Sequence, residues 1–494
     1  MRTVMAGCTF AVLASAASAQ APAGPSPSPR ALIERAVAAI GGAPALRSVE
    51  VTVTEFNSAS FGLGQEETPL SPARGPIGWG RIVADWRGNR RAVSQEIRQI
   101  TGAVTRQRQV VAGNIGMNEA GGTQSPLAPG AVAAVLQGMR LQPERILLRA
   151  FDNPGSVTRI PARTWRGELM NGVRFAEAAD TVSLYFDRRS GLLTVSEVVT
   201  DDPILGDRRG VTWYTRWQEA GGVRLPRQFD SEANGRLLSQ NIVTSLTVNP
   251  PVPDSVFAIP DSIARRAQPA STAPAPVTVT LVELAPGVWR AEGGSHHTLV
   301  VDQGNQLVLV EAPQNARRIQ AVLDTVRSRF PGKPVGVVVN THHHWDHSGG
   351  LRAAMAAGHR IATHVRNAAF VRGIAAAPKT VAPDPLSRGR PAPAVVAVAD
   401  SLILGSGPRR VVIYEVPSAH AEGILAAWVP EIRLLFASDV LTPPAGGSTA
   451  PVASAGSAEL VALARARGIV PDRFAGGHGG VVAWTEVERA ATRP

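Results

Sequence analysis

Four residues in a six-residue span, His342-x-His344-x-Asp346-His347, combine the side chains that hold divalent metals, and at this spacing they arise by chance in roughly one chain of this size in several thousand. Residues i and i+2 of an extended segment point to the same side, so the imidazoles of His342 and His344 can share one cation. Asp346 and His347 then turn away, free to serve a second. Zinc takes about four ligands, so two ions need more donors than the motif offers. Three further residues follow apolar runs in the same half of the chain. His420 follows Val411 to Val416, Asp439 follows Arg433 to Ser438, and His478 follows Phe474 to Gly477. Glycines around His478 permit close backbone approach. The sole cysteine is Cys8, so a metal here must be held by histidine and carboxylate.

Those residues require elements that bring strand ends together. Asn315 is positioned to cap a helix whose Ile319, Val322, Leu323, Val326 and Phe330 lie on one face, and Pro331-Gly332 ends it. A strand over Gly304 to Leu309 precedes this helix. A continuous apolar run, Val335 to Val339, follows it, as in a strand covered on both faces. This βαβ-like unit makes residues 278–494 an α/β domain. The Pro/Ala/Ser stretch 263–277 has no periodicity and reads as a linker. Before it, residues 31–262 open with a helical segment, Leu32 to Ala39, closed by Gly41-Gly42. Short alternating runs follow, at Val51 to Thr54, Thr181 to Phe186, Leu193 to Val199, Val211 to Trp217 and Ile242 to Leu246. Such runs predict an α+β domain dominated by one curved antiparallel sheet.

Residues 1–19 carry Arg2, an apolar stretch from Val4 to Ala16 and an Ala17-Ser18-Ala19 site, which predict a signal peptide, export to the periplasm and a mature start at Gln20. Residues 20–30 form a Pro-rich tail. Met5-Ala6-Gly7-Cys8 loosely matches a lipoprotein box, but only about five residues precede it, fewer than an h-region needs. Nothing later approaches the ~18 apolar residues of a membrane span. The net charge of +11 comes almost wholly from arginines scattered singly or in doublets, a pattern of solvated surface and not of nucleic-acid binding.

Thr341-His342-His343-His344-Trp345-Asp346-His347-Ser348-Gly349-Gly350, with His420, Asp439 and His478, resembles the metallo-β-lactamase superfamily, especially its glyoxalase II form, over essentially all of residues 278–494. The resemblance implies a four-layered αββα sandwich with the metals at the sheets' edge. It implies a first zinc on His342, His344 and His420, and a second on Asp346, His347 and His478, with Asp439 bridging them. It also implies hydrolysis of a small-molecule substrate by a metal-bridging hydroxide, with Asp346 orienting the nucleophile. His343 points away from the ligand pair and reads as a supporting residue. Glu311 stands where the family more often has Asp, as a carboxylate behind the ligands. His296 and His297 are candidates for the pocket, while His359 and His364 read as structural.

Glyoxalase II enzymes carry a helical substrate region after the last ligand, and the sequence ends soon after His478, which disfavours a glutathione thioesterase. An ester, lactone or related acyl bond is the expected substrate. A β-lactam, a phosphodiester or a sulfate ester is the alternative. A related branch uses one iron to oxidise persulfides, but needs fewer ligands than are present here. In the first half, the phrases Leu184-Tyr185-Phe186-Asp187, Gly221 to Pro226 and Phe257 to Pro260 resemble the half-barrel of periplasmic lipoprotein-sorting proteins. That resemblance implies a lipid or other apolar ligand there. It also leaves open a carrier whose metal domain is a vestige.

Overall fold

The computed structural model describes residues 27–446, 448 and 450–493. The expected signal peptide, its cleavage site and Cys8 lie outside the described residues. Among the described residues, no helix is long and apolar enough to cross a membrane.

Residues 51–248 build one thirteen-stranded antiparallel sheet from two meanders. The first runs from the edge strand Thr123–Pro126 through Ile115–Ala120, Val104–Ala112, Arg90–Arg98 and Ile77–Asp85 to Val51–Ser60. The second runs from Val157–Trp165 at the opposite edge through Glu168–Glu177, Asp180–Phe186, Leu193–Asp202, Gly206–Thr215 and Gln228–Ala233 to Arg236–Val248. The first strand and the last join them, with Thr52 opposite Val248 and Ser60 opposite Ser239. The strands are longer than the alternating runs alone predict. Val211 to Trp217 instead belongs to a strand that spans Gly206–Thr215, and Arg216 turns out of it at φ +56°.

The first helix is Pro29–Ala39, begun one turn earlier than its apolar face indicates because Ser28 caps it and Pro29 fits its first turn. A short helix, Gly42–Arg47, follows Gly41, whose φ of +116° only glycine adopts easily. Two helices with no counterpart in the sequence reading, Pro129–Arg140 and Pro143–Asp152, connect the meanders. Leu32, Ile33, Val37, Ile146 and Leu147 pack with Val173, Phe175, Leu184 and Phe186, so the chain's own helices fill that part of the sheet's apolar face. A cavity of about 840 Å³ lies on the first meander, lined by charged residues such as Glu55, Arg81, Glu96 and Arg106 and also by Phe56 and Trp79.

Residues 280–483 form two sheets. The first orders Thr280–Ala285, Val288–Glu292, Thr298–Asp302 and Leu307–Val310 antiparallel, then adds Val335–Val339, Arg360–His364 and Val395–Val398 in parallel. The strand expected from Gly304 begins only at Leu307, because Gly304 sits in the preceding turn at φ +91°. The helix Ala316–Arg329 is capped by the Asn315 side chain, as its spacing predicts. The second sheet orders Ser401–Leu404, Val411–Val416, Ile424–Val429, Leu434–Ala437, Arg473–Gly476 and Val481–Ala483. Leu299, Val301, Val310, Val339, Ile413, Leu425, Phe436 and Ala475 form one buried cluster from both sheets. The outer faces pack on helices, Ile319, Val322 and Leu323 on one side and Leu460, Leu463 and Val487 on the other. The segment between the sheet systems is pinned at both ends. Ala270 donates its amide to the Asn114 carbonyl, and the Thr278 carbonyl accepts from Arg318.

Candidate metal centre

Strand ends deliver the donors to one edge. The buried strand Val335–Val339 runs into Asn340 and Thr341 and then His342 to His344, after which Trp345–Ser348 turns into a short helix. Asn340 fixes that bend by donating to the His342 carbonyl at 2.7 Å. His420 follows Val411–Val416, Asp439 lies two residues beyond Leu434–Ala437, and His478 two beyond Arg473–Gly476. Glycine at 477 is required there, since a Cβ would sit 2.4 Å from the Ser438 hydroxyl.

These residues converge on two groups. In one, His342, His344, His420 and Asp439 each offer a donor atom within 4.8 Å of the others. In the second, His296, Asp346, His347 and His478 do the same. The two oxygens of Asp439 divide between the groups. Oδ2 lies 3.3 Å from His420 Nε2 and 3.9 Å from His342 Nε2. Oδ1 lies 3.2 Å from His347 Nε2 and 3.1 Å from His478 Nε2.

The inward nitrogens are matched by outward ones that are tied down. His342 Nδ1 lies 3.0 Å from the Thr341 hydroxyl, which in turn donates to Glu311. His347 Nδ1 donates to the other Glu311 oxygen at 2.9 Å. His344 Nε2 donates to the Glu66 carbonyl at 3.0 Å, and His478 Nδ1 to the Ser295 carbonyl at 2.8 Å. Each such bond fixes which nitrogen is free to face a cation. His342 Nε2 is buried without a hydrogen-bond partner among the described residues. An orphaned imidazole nitrogen facing three other donors is what a metal site leaves when only its protein part is considered.

Charge gives the same indication. Burial opposes protonation of His342 and, with His420 nearby, lowers His344 to about 4, so both are neutral donors. Burial also works against a charge on His347, but the Glu311 and Asp439 carboxylates outweigh it and push that imidazole up to about 10. Burial would raise Asp439, yet hydrogen bonds from His347, His420 and His478 hold it far below the usual carboxylate range. Asp346 is likewise held low, against burial, by His296, His347 and Gln65. The pocket therefore demands positive charge, which a proton on His347 or a divalent cation can supply.

Residues 291–485 match the model of the metallo-β-lactamase superfamily. This part of the chain belongs to that superfamily. Among solved structures, a metallo-β-lactamase from Pontibacter korlensis is similar at 16% identity, covering 44% of this chain and 98% of its own, with a TM-score of 0.34. The mono-zinc form of FIM-1 from Pseudomonas aeruginosa is similar at 19% identity, covering 44% and 95%, with a TM-score of 0.34. A metallo-β-lactamase from Hirschia baltica gives 19%, 44% and 98%, with a TM-score of 0.33. No curated protein matches the chain.

Within the metallo-β-lactamase domain, all seven expected donors lie in the two groups. His296, expected only near the pocket, enters the second group, with its Nε2 3.2 Å from Asp346 Oδ2. Its loop is held by Arg318, buried on the helix Ala316–Arg329, which donates to the carbonyls of Ala291, Glu292, Gly293 and His296. His297 turns elsewhere, to the Gly479 carbonyl, and burial together with Arg290 lowers it to about 4. His343 faces away from both groups and donates to the Glu66 carbonyl at 2.8 Å. Glu311 is buried and holds a φ of +89°, a strained value for a residue with a Cβ, at the point where its carboxylate reaches both His347 and Thr341. His359 and His364 bond to the carbonyls of Val335 and Ala399, away from the centre. Gln65 and Glu66 reach the centre from the other sheet system with no signal in the sequence, since a glutamine and a backbone carbonyl do not mark a metal site.

Proposed function

We propose that the protein is an exported dinuclear-zinc hydrolase that cleaves an ester, lactone or related acyl bond of a small molecule. The observation that carries this reading is the divided carboxylate of Asp439, each oxygen facing a separate histidine group, beside the orphaned His342 Nε2. In this reading His342, His344, His420 and Asp439 would hold one ion, and Asp439, Asp346, His347 and His478 would hold the other. His296 is in reach of the second. The set contains no thiolate and is rich in imidazole, which suits zinc. Bound zinc would supply Lewis acidity, polarising a carbonyl and lowering the pKa of water.

The protein's own groups do the rest. Asp346 is the carboxylate most open to solvent, its side chain 37% exposed against 14% for Asp439, so it faces an arriving substrate. It orients the attacking water and accepts its proton as the water oxygen bonds to the acyl carbon. The acyl bond then breaks, and the leaving alcohol takes up the proton that Asp346 held. Glu311, Thr341 and Ser295 keep the imidazoles oriented throughout. The paired sheets with outer helices support the αββα reading of residues 278–494. The thirteen-stranded antiparallel sheet supports the half-barrel reading of residues 31–262, joined through 263–277 to the second part.

The test is a panel of esters, lactones, β-lactams, phosphodiesters and sulfate esters, run on the full-length protein with and without chelator, beside metal analysis. Chelator-sensitive turnover of an ester or lactone with about two zincs per chain is expected. One iron per chain, or no turnover across the panel, would overturn the proposal.

A further inference from the structure

We propose that segment 63–67, which leaves the N-terminal sheet between strands Val51–Ser60 and Ile77–Asp85, is a positioning element of the metal centre, with Gln65 its working side chain. The inference rests on the metallohydrolase reading above. Four successive residues of the motif touch this segment. His343 and His344 both donate their Nε2 protons to the Glu66 carbonyl, at 2.8 and 3.0 Å. The Trp345 amide donates to the Gly64 carbonyl at 3.1 Å, and Gln65 Nε2 donates to Asp346 Oδ1 at 2.8 Å.

The segment is held firmly enough to act on what it touches. The Glu66 carboxylate is buried, accepts the Gly64 amide at 2.7 Å, and pairs with Arg236 on the strand Arg236–Val248. Burying a carboxylate is costly unless it is paired, and here the pairing fixes the peptide whose carbonyl serves the two histidines. Gly64, at φ +82°, lies directly under Trp345, where a Cβ would come within 2.1 Å of the indole. The Glu67 carbonyl accepts the Glu422 amide at 2.8 Å, extending the contact to the loop after His420.

The consequences differ for the two groups. Because the Glu66 carbonyl takes the Nε2 proton of His344, Nδ1 is the nitrogen left to face His420 Nε2, 3.0 Å away. Gln65 acts on Asp346, a partly exposed carboxylate that it holds by Oδ1. Holding Oδ1 turns Oδ2 toward His296 and His347, at 3.2 and 3.6 Å. The second group is thus completed by a side chain 281 residues away in sequence.

The test uses the metal-free full-length protein, titrated with Zn2+ against a chromophoric chelator, with kcat and KM measured on the best substrate of the panel. Gln65→Ala should bind the first equivalent as wild type does, bind the second about tenfold more weakly, and lose kcat with KM unchanged. Gln65→Asn keeps the amide but withdraws it by one methylene and should behave like Gln65→Ala. Gln65 is exposed, so the melting temperature should not move. If wild type takes up two equivalents and both variants match it in second-equivalent affinity and kcat, this inference is overturned alone. If wild type takes up only one, the two-metal reading falls and the inference with it.

Discussion

Replacing Glu311 tests the centre most directly, because one buried carboxylate orients an imidazole in each histidine group. It accepts His347 Nδ1 at 2.9 Å and the Thr341 hydroxyl, behind which stands His342 Nδ1. In Glu311→Ala the backbone keeps the strain of its φ of +89°, since alanine also carries a Cβ, so the change isolates the carboxylate. Breaking a buried ion pair costs about 3–5 kcal/mol when the remaining charge cannot relax. His347 is not left as an unpaired charge, because Asp439 Oδ1 still lies 3.2 Å from its Nε2 and goes on favouring the protonated ring against burial. The cost then falls to the roughly 1–3 kcal/mol of an unsatisfied buried donor, or a melting temperature lower by about 2–12 °C. Loss of a supporting carboxylate should weaken metal binding about 10–100-fold. Chelator-competition titration and thermal melts of the metal-free protein read both effects. Wild-type affinity for both equivalents, with an unchanged melting temperature, would refute the assigned role of Glu311. Glu311→Gln, able to satisfy only one of the two partners as an acceptor, should fall between.

Asp346→Ala should lower kcat by about 10²–10⁴ on the panel's best substrate while leaving the circular-dichroism spectrum unchanged; full activity would defeat the proton-accepting role. Burial raises Asp384, but hydrogen bonds from Arg352 and Ser387 outweigh it and bring it down to about 2. Its folded pKa lies below the usual 3.8, so it contributes roughly 2 kcal/mol that is present above pH 4 and lost as pH falls toward 2. Urea melts across that window should show a shallower decline for Asp384→Asn than for wild type. Gly456→Ala, in the helix Ser454–Arg467, would put a Cβ 1.6 Å from the Val440 carbonyl beside Asp439, so both stability and metal content should drop. A variant that melts and loads like wild type would contradict that packing.

Much of the centre was legible because its signals are local. His342, His344, Asp346 and His347 lie within six residues, where strand alternation and one turn fix their directions. His420, Asp439 and His478 each follow an apolar run, and strand ends meet at the edge of a sheet. The helix Ala316–Arg329 was readable in its cap and periodic face. The helices Pro129–Arg140 and Pro143–Asp152 were not, because the first is apolar on most sides and contains glycines, and neither has a side-chain cap. The strand start at Leu307 rather than Gly304 depended on a turn that only the paired neighbour defines.

The sequence by itself determined which atoms could hold metal, because donor chemistry belongs to residue types. Tertiary structure alone decided which nitrogen of each ring faces inward, which Asp439 oxygen serves which group, and that His296 joins the second. It also decided that Gln65 and the Glu66 carbonyl stand behind the motif. Those choices are made by hydrogen bonds between segments up to 281 residues apart, and a backbone carbonyl offers the same acceptor whatever its residue, so no spacing in the chain can announce it.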